Sequence, residues 1–214
     1  SGIGGVASCQ QIGIEKTFTA KTAYTYKIIT KNGILSFGLD AGIINKQINW
    51  KKLTDAGMND PRIPSNEESK TGFDMSAGID FLHHKFFAGL SSTHVNRPKL
   101  KYETFSYRIA RHYYLISGYN ISFSESISLQ PSVLIKSNAA STQLDLNATI
   151  SHKYFLLGAG YRIRDAIVLL TGIKLKGFSI SYSYDYTTSS LKNYFNGSHE
   201  IVLLYLHSKK KSLP

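Results

Sequence analysis

The chain has 214 residues, 42% of them hydrophobic and 12% aromatic, with a formal net charge of +11, and is long enough for one large domain. No stretch approaches the ~20 consecutive apolar residues of a membrane-spanning helix, which excludes helical membrane proteins. The basic side chains are scattered rather than gathered in one stripe or helix, which argues against nucleic-acid binding and leaves anionic lipid or an acidic partner.

The N-terminal segment Gly2–Ala7 is interpreted as the remnant of a strand. Cys9 follows this segment and is the only cysteine, so no intramolecular disulfide can form. Because no charged region and apolar core precede Cys9, lipidation is not expected. We interpret Cys9 as a free thiol at a strand end.

Beyond this segment the dominant hydrophobic period is two, which indicates β-strands rather than helices. Between residues 73 and 81, for example, Phe73 and Ile79 fall on one face and Asp74 and Asp80 fall on the other. The predicted strands are Thr19–Thr30, Ile34–Ile43, Gly72–Phe81, Phe86–Ser92, Ala110–Ser122, Ile127–Lys136, Gln143–Ile150, Phe155–Arg162, Ala166–Leu175, Phe178–Asp185 and His199–Leu206.

The composition of the two strand faces predicts which face is inside. The apolar face is continuous over many strands and carries tyrosines toward its ends, which is typical of a lipid-facing band with aromatic girdles. The polar face is rich in small and acidic residues, which suit a crowded interior. The polar side chains expected to face a lumen are Asp40, Asp74, Asp80, Asp145, Arg162 and Asp185. We therefore predict an antiparallel transmembrane β-barrel, with a soluble sandwich or lipocalin-like barrel as the alternative.

The connections between the predicted strands differ in length. The two longest, Ile44–Thr71 and Thr93–Ile109, fall on the same end of the sheet, whereas the opposite end has short turns. Outer-membrane barrels have short periplasmic turns and longer extracellular loops, so we expect the long loops at the cell surface. Long loops often carry function. The side chains expected to bind a partner there are Trp50, Arg62, Arg97, Lys99, Lys101 and Tyr102.

A family resemblance is carried by several segments in order along the chain, from about Ile12 to Tyr205. They include Leu35–Gly38, Gly89–Pro98, Arg111–Tyr114, Leu129–Lys136, Leu157–Arg162, Tyr182–Tyr186 and Gly197–Ile201. The pattern resembles the PorP/SprF family of type IX secretion and gliding motility. The side chains that match the family motif near the C-terminus are Gly197, Ser198, His199 and Glu200.

The resemblance implies an outer-membrane protein that acts by protein binding, needs no cofactor and is not an enzyme. The implied partners are a secreted surface protein such as the C-terminal domain of an adhesin, a periplasmic peptidoglycan-binding protein or ring lipoprotein of the secretion machinery, and lipopolysaccharide. Nucleic acid is not expected as a partner. A passive diffusion channel is the alternative, because small residues on the polar face suit a pore as well as a plug.

The family pattern also includes N-terminal strands that this chain lacks. About 11 or 12 strands are therefore expected here and about 14 in the complete protein, within the range of known outer-membrane barrels. The expected organisation is a strand remnant over residues 1–8, an outer-membrane barrel over residues 9–207 and a polar, lysine-rich tail over residues 208–214.

Catalytic and metal-binding patterns are not found in the sequence. The seven histidines form no HExxH motif, and the adjacent pair His83 and His84 is poorly suited to chelate one metal because neighbouring strand residues point to opposite faces. The acidic and basic residues of the polar face are interpreted as an internal network of opposite charges. His199 is expected to make a hydrogen bond at the start of its strand.

Overall fold

A computed structural model describes residues 1–52, 64, 66–190 and 197–206. This part of the chain folds into antiparallel strands, which confirms the predicted all-β architecture. The strands are β1 (Gly2–Ile12), β2 (Glu15–Thr30), β3 (Gly33–Asn49), β4 (Glu67–Leu82), β5 (Phe86–Thr93), β6 (Lys99–Lys101), β7 (Ser106–Arg108), β8 (His112–Tyr119), β9 (Ile121–Ser122), β10 (Ile127–Ser137), β11 (Thr142–His152), β12 (Phe155–Arg162), β13 (Ala166–Leu175), β14 (Phe178–Thr187) and β15 (Ser198–Tyr205). None of the described segments is a helix long and apolar enough to cross a membrane.

The chain divides into two compact units. The first unit comprises Ser1–Phe81, Gly89–Tyr114 and Ser137–Ser141. Its main sheet has the strand order β1-β2-β3-β4-β5-β8, and β6 and β7 form a separate two-stranded hairpin. The register of β2 against β3 pairs Lys21 with Gly42 and Ala23 with Asp40.

The second unit comprises Leu82–Ala88, Leu115–Lys136 and Thr142–Pro214. Its strands follow the order β8-β10-β11-β12-β13-β14-β15, and the short strand β9 pairs with β10. The four successive pairings from β11 with β12 to β14 with β15 are antiparallel. Consecutive strands joined by short turns are thus direct neighbours, as in a meander.

The strand boundaries agree closely with the prediction where short turns separate the strands, although β11 and β14 run slightly longer than predicted. Strands β12 and β13 have the predicted limits, and β1 contains the predicted remnant Gly2–Ala7 but continues to Ile12. The segment Ala110–Ser122, predicted as one strand, is two strands interrupted at Asn120. The predicted domain boundaries stay a prediction.

Both segments predicted as long loops are partly regular structure, and this corrects the prediction. The segment Ile44–Thr71 is shorter as a loop, because β3 runs on to Asn49 and β4 begins at Glu67. The segment Thr93–Ile109 contains the β6–β7 hairpin. The extensions were missed because their side chains are mostly polar, and the hairpin because each of its strands has only three residues.

The apolar strand faces are exposed and the polar faces are enclosed, the reverse of a soluble protein. In β4, Phe73 is 57% exposed whereas Asp74 is 0% exposed. In β11, Leu146 is 46% exposed whereas Asp145 is 7% exposed. The same alternation recurs in β2, β12 and β14, and it is the pattern expected of strands that face lipid on one side.

Candidate functional site

The β6–β7 hairpin has two chemically different faces. Its register pairs Lys99 with Arg108, Leu100 with Tyr107 and Lys101 with Ser106. Cross-strand partners lie on the same face of a sheet. One face therefore carries the three cations Lys99, Lys101 and Arg108, all exposed, and the other carries Leu100 and Tyr107. We call the first of these the cationic face.

The opposite face of the hairpin packs on the end of β3. Leu100 is 1% exposed and belongs to a hydrophobic cluster with Ile44, Ile48, Tyr102 and Ile109. Removing this apolar surface from water fixes the hairpin to the sheet. A second contact is the Lys46 ammonium, which lies 4.2 Å from the centre of the Tyr107 ring.

The tip of the hairpin is held by aromatic packing. Tyr102 stacks on Phe105 with ring centres 4.8 Å apart, and Trp50 meets Phe105 edge to face at 6.1 Å. The Tyr102 hydroxyl donates to the Lys46 carbonyl at 3.0 Å. Burial, with smaller contributions from nearby carboxylates that include Glu15, raises the pKa of Tyr102 to about 12, so the donor proton stays in place.

Glu68 connects the tip of the hairpin to β4. Glu68 is buried, with 8% of its surface exposed. One carboxylate oxygen accepts from the Trp50 indole nitrogen at 3.3 Å, and the other accepts from the backbone nitrogen of Glu103 at 3.1 Å. Burying a carboxylate without hydrogen-bond donors costs free energy, and the two donors offset this cost for Glu68.

The base of the hairpin is tied to β4 by side chains from the preceding connection. Asn96 accepts from the Met75 backbone nitrogen at 3.1 Å and donates to the Phe73 carbonyl at 2.7 Å. Arg111 donates to the Val95 carbonyl. Arg97 adopts a φ of 49°, the left-handed region that bulky residues rarely occupy. The cationic face is thus presented by a hairpin fixed at both ends.

A cluster of charges lies on the polar face of β2, β3 and β4. Asp74 is wholly buried, and its carboxylate is 2.8 Å from the Lys21 ammonium and 2.9 Å from Nδ1 of His94. Lys21 also reaches Asp40 at 3.1 Å and donates to the Ser76 hydroxyl at 2.8 Å. We call these five residues the Asp74 cluster. It fastens the hairpin's connecting segment, through His94, to the sheet.

A second charge cluster lies on the polar face in the other unit. Asp145 is 3.1 Å from the Lys136 ammonium and 3.7 Å from the Arg162 guanidinium, and it accepts from Gln143 at 2.8 Å. Arg162 also reaches Asp185 at 3.1 Å. The opposite charges expected on the polar face therefore do pair, within each unit.

The structure places the predicted partner-binding residues in two groups. Arg97, Lys99 and Lys101 are exposed, whereas Tyr102 and Trp50 are packed into the hairpin's support. Arg62 lies outside the described residues. Of the predicted lumen residues, Asp80 is exposed and the others are buried or half-buried.

Several residues of this site were not predicted from the sequence. Leu100 and Arg108 are two of them, although the alternation of Lys99, Leu100 and Lys101 was a signal for a short strand. Lys21 and Glu68 were not predicted as partners either, because their pairing depends on register and on contacts distant in sequence.

Among the described residues, the C-terminal motif makes local contacts with β14. His199 Nδ1 lies 2.7 Å from the Tyr182 hydroxyl on the neighbouring strand, which confirms the expected hydrogen bond at the start of β15. Gly197 adopts a φ of 94°, which favours glycine at the turn before β15. Within the described part of the chain, no group of three His, Cys, Asp or Glu side chains is arranged to hold a metal ion.

Comparison with known families gives one match that spans nearly the whole chain. A model described as type IX secretion system membrane protein PorP/SprF matches residues 1–205. This match confirms the resemblance inferred from the sequence, and the fold class of that family, the antiparallel transmembrane β-barrel, is the predicted one. No individual curated protein shows a significant match to the chain.

Proposed function

This chain belongs to the PorP/SprF family of type IX secretion system membrane proteins, and we propose that it acts in the outer membrane by binding a secreted surface protein. In this proposal the cationic face of the β6–β7 hairpin is the docking surface. The partner is the C-terminal domain of an adhesin or another cargo, which the protein helps to export or retain. The chain has no catalytic role.

The observation that carries the proposal is the exposure of Lys99, Lys101 and Arg108 on a hairpin that is fixed to the sheet by the buried Leu100 of its other face. A docking element that is already ordered loses little conformational entropy when it binds, so more of its contact energy appears as affinity. The packing of Trp50 and Tyr102 supports this preorganisation from beneath. Trp50 and Tyr102 therefore contribute to partner binding indirectly, by holding the hairpin in place.

The charge of the docking surface selects the partner's chemistry. Three cations on one face attract an acidic segment and repel a basic one, which gives specificity and a faster encounter. Arg97 lies close in sequence and adds a fourth exposed cation. The backbone N–H of Glu103, at the tip of the hairpin, donates a hydrogen bond to the Glu68 carboxylate.

The membrane placement in the proposal rests on the strand faces. Exposed apolar residues such as Leu39, Leu157 and Leu169 contact the lipid, and the polar faces with the Asp74 cluster line the lumen. The hairpin connects β5 to β8, at the end of the sheet that carries the longer loops. By the loop-length rule this end faces the cell surface.

A charge-reversal experiment tests the docking surface. The double variant Lys99→Glu/Lys101→Glu changes the cationic face, and Lys27→Glu/Lys31→Glu makes the same charge change at the opposite end of β2. Both variants are produced in the native bacterium. The amount of the protein in the outer membrane and the amount of type IX cargo on the cell surface are measured together.

We expect normal membrane levels for both variants and a several-fold loss of surface cargo for the hairpin variant alone, because only that variant repels an acidic partner. Equal cargo levels in both variants would contradict the docking proposal. Equal cargo together with lost anchoring of a periplasmic ring lipoprotein would assign the binding role to the other end of the protein.

A further inference from the structure

A polar cavity of about 530 Å³ opens in the second unit, between the β9–β10 connection and the β11–β12 turn. Ser151 and His152 contribute to its wall from β11, Lys174 contributes from β13, and Lys153 contributes from the β11–β12 turn. Ser151 lies on the same face of β11 as Asp145, so the cavity belongs to the polar face. Asn120, Glu125 and several serines between residues 122 and 128 also line the cavity.

The ammonium of Lys174 distinguishes this cavity from the rest of the polar face. Lys21, Lys136 and Arg162 each have a carboxylate within 4 Å. Within the described residues, Lys174 has no such carboxylate, and its ammonium donates to the Ser151 hydroxyl at 3.1 Å. A half-buried ammonium is stabilised by an anion, and this one faces a space that admits one.

The remaining lining groups indicate what kind of anion fits. Lys153 and Lys174 supply two positive charges and Glu125 supplies one negative charge, so the wall carries a net charge of about +1 with His152 neutral. That balance suits a monoanionic carboxylate better than a phosphate dianion. The side-chain oxygen of Asn120 is buried with no hydrogen-bond partner among the described residues, so it lacks a donor.

We propose that this cavity binds a carboxylate-bearing end of a polypeptide. The carboxylate accepts hydrogen bonds from Lys174 and from the Ser151 hydroxyl, and a backbone N–H next to the carboxylate donates to Asn120. The Lys174 ammonium, which has no carboxylate partner among the described residues, is complementary to the terminal carboxylate. The Asn120 side-chain oxygen, which lacks a donor among the described residues, is complementary to the adjacent backbone N–H. The site is separate from the hairpin and does not depend on the docking proposal.

The test uses the full chain in detergent micelles and two small probes. Acetylated trialanine with a free carboxylate is compared with the same peptide as its C-terminal amide, and binding is followed by saturation transfer to the acetyl methyl group. The variant Lys174→Gln removes the ammonium. Lys176→Gln is the matched control, because Lys176 lies two residues away in the exposed turn and does not line the cavity.

We expect the free carboxylate to bind and the amide to bind at least about tenfold more weakly, and we expect Lys174→Gln to weaken carboxylate binding by a similar factor while Lys176→Gln leaves it unchanged. Circular dichroism of each variant checks the fold, and Ser151→Ala serves as a second, smaller change with a weaker effect in the same direction. Equal binding of acid and amide, or an unchanged Lys174→Gln variant, overturns the proposal. Competition by inorganic phosphate at lower concentration than by acetate overturns the carboxylate assignment.

Discussion

The variant Asp74→Ala removes the central anion of the Asp74 cluster. The Asp74 carboxylate is wholly buried and contacts Lys21 at 2.8 Å and His94 at 2.9 Å. Removing one member of a buried ion pair typically costs 3–5 kcal/mol, because the other charge stays buried. Lys21 keeps Asp40 at 3.1 Å and Ser76 at 2.8 Å, so we expect a loss near the lower end, about 3 kcal/mol.

Asp80→Ala is the matched control on the same strand and the same face. Asp80 is exposed, and the described residues give it no ion pair. An exposed substitution of this kind usually changes stability by less than about 0.5 kcal/mol. Both variants are refolded into lipid vesicles and titrated with urea, and the free energies of unfolding are compared. Two variants with equally small losses would refute the reasoning that the polar face is the enclosed one.

Three further predictions use the same titration. Ile79→Arg places a charge on the exposed apolar face and is expected to cost ~2–4 kcal/mol near the bilayer midplane; a loss no larger than that of Asp80→Ala would exclude lipid contact there. Gly42→Ala is expected to cost about 1–3 kcal/mol, because its Cβ would meet the backbone oxygen of Ala20, whereas Gly4→Ala has open space and should be near neutral. Tyr102→Phe removes the hydroxyl that donates to β3 and should cost about 1 kcal/mol; no change would mean that the hairpin is held by packing alone.

Period-two alternation predicted most of the sheet because it is a direct consequence of strand geometry. The limits of β12 and β13 follow from the short turns that flank two segments rich in apolar residues. The extensions of β3 and β4 were not predicted from hydrophobic alternation. In β3, Ile44 and Ile48 fall on the face that carries Asp40 and Gly42 earlier in the strand, so the apolar residues change face. In β4, the extension Glu67–Thr71 consists of polar residues on both faces.

The Asp74 cluster shows why the site was harder to predict than the sheet. Alternation places Asp74 on the polar face, but its partners come from a strand 53 residues earlier and from a connection 20 residues later. Only the register of β2 and β3 and the path of the chain after β5 bring Lys21 and His94 to it. The roles of Trp50 and Tyr102 depend in the same way on how the hairpin packs.

The central claim is that the cationic face of the hairpin contacts a secreted partner. A photoreactive amino acid is placed at Lys101, on that face, and at Lys31, in the turn at the other end of β3. The cells are illuminated, and adducts of the protein are purified and identified by mass spectrometry. We predict an adduct with a secreted surface protein from position 101 and none from position 31. Absence of an adduct at position 101, or the same adduct from both positions, would contradict the account.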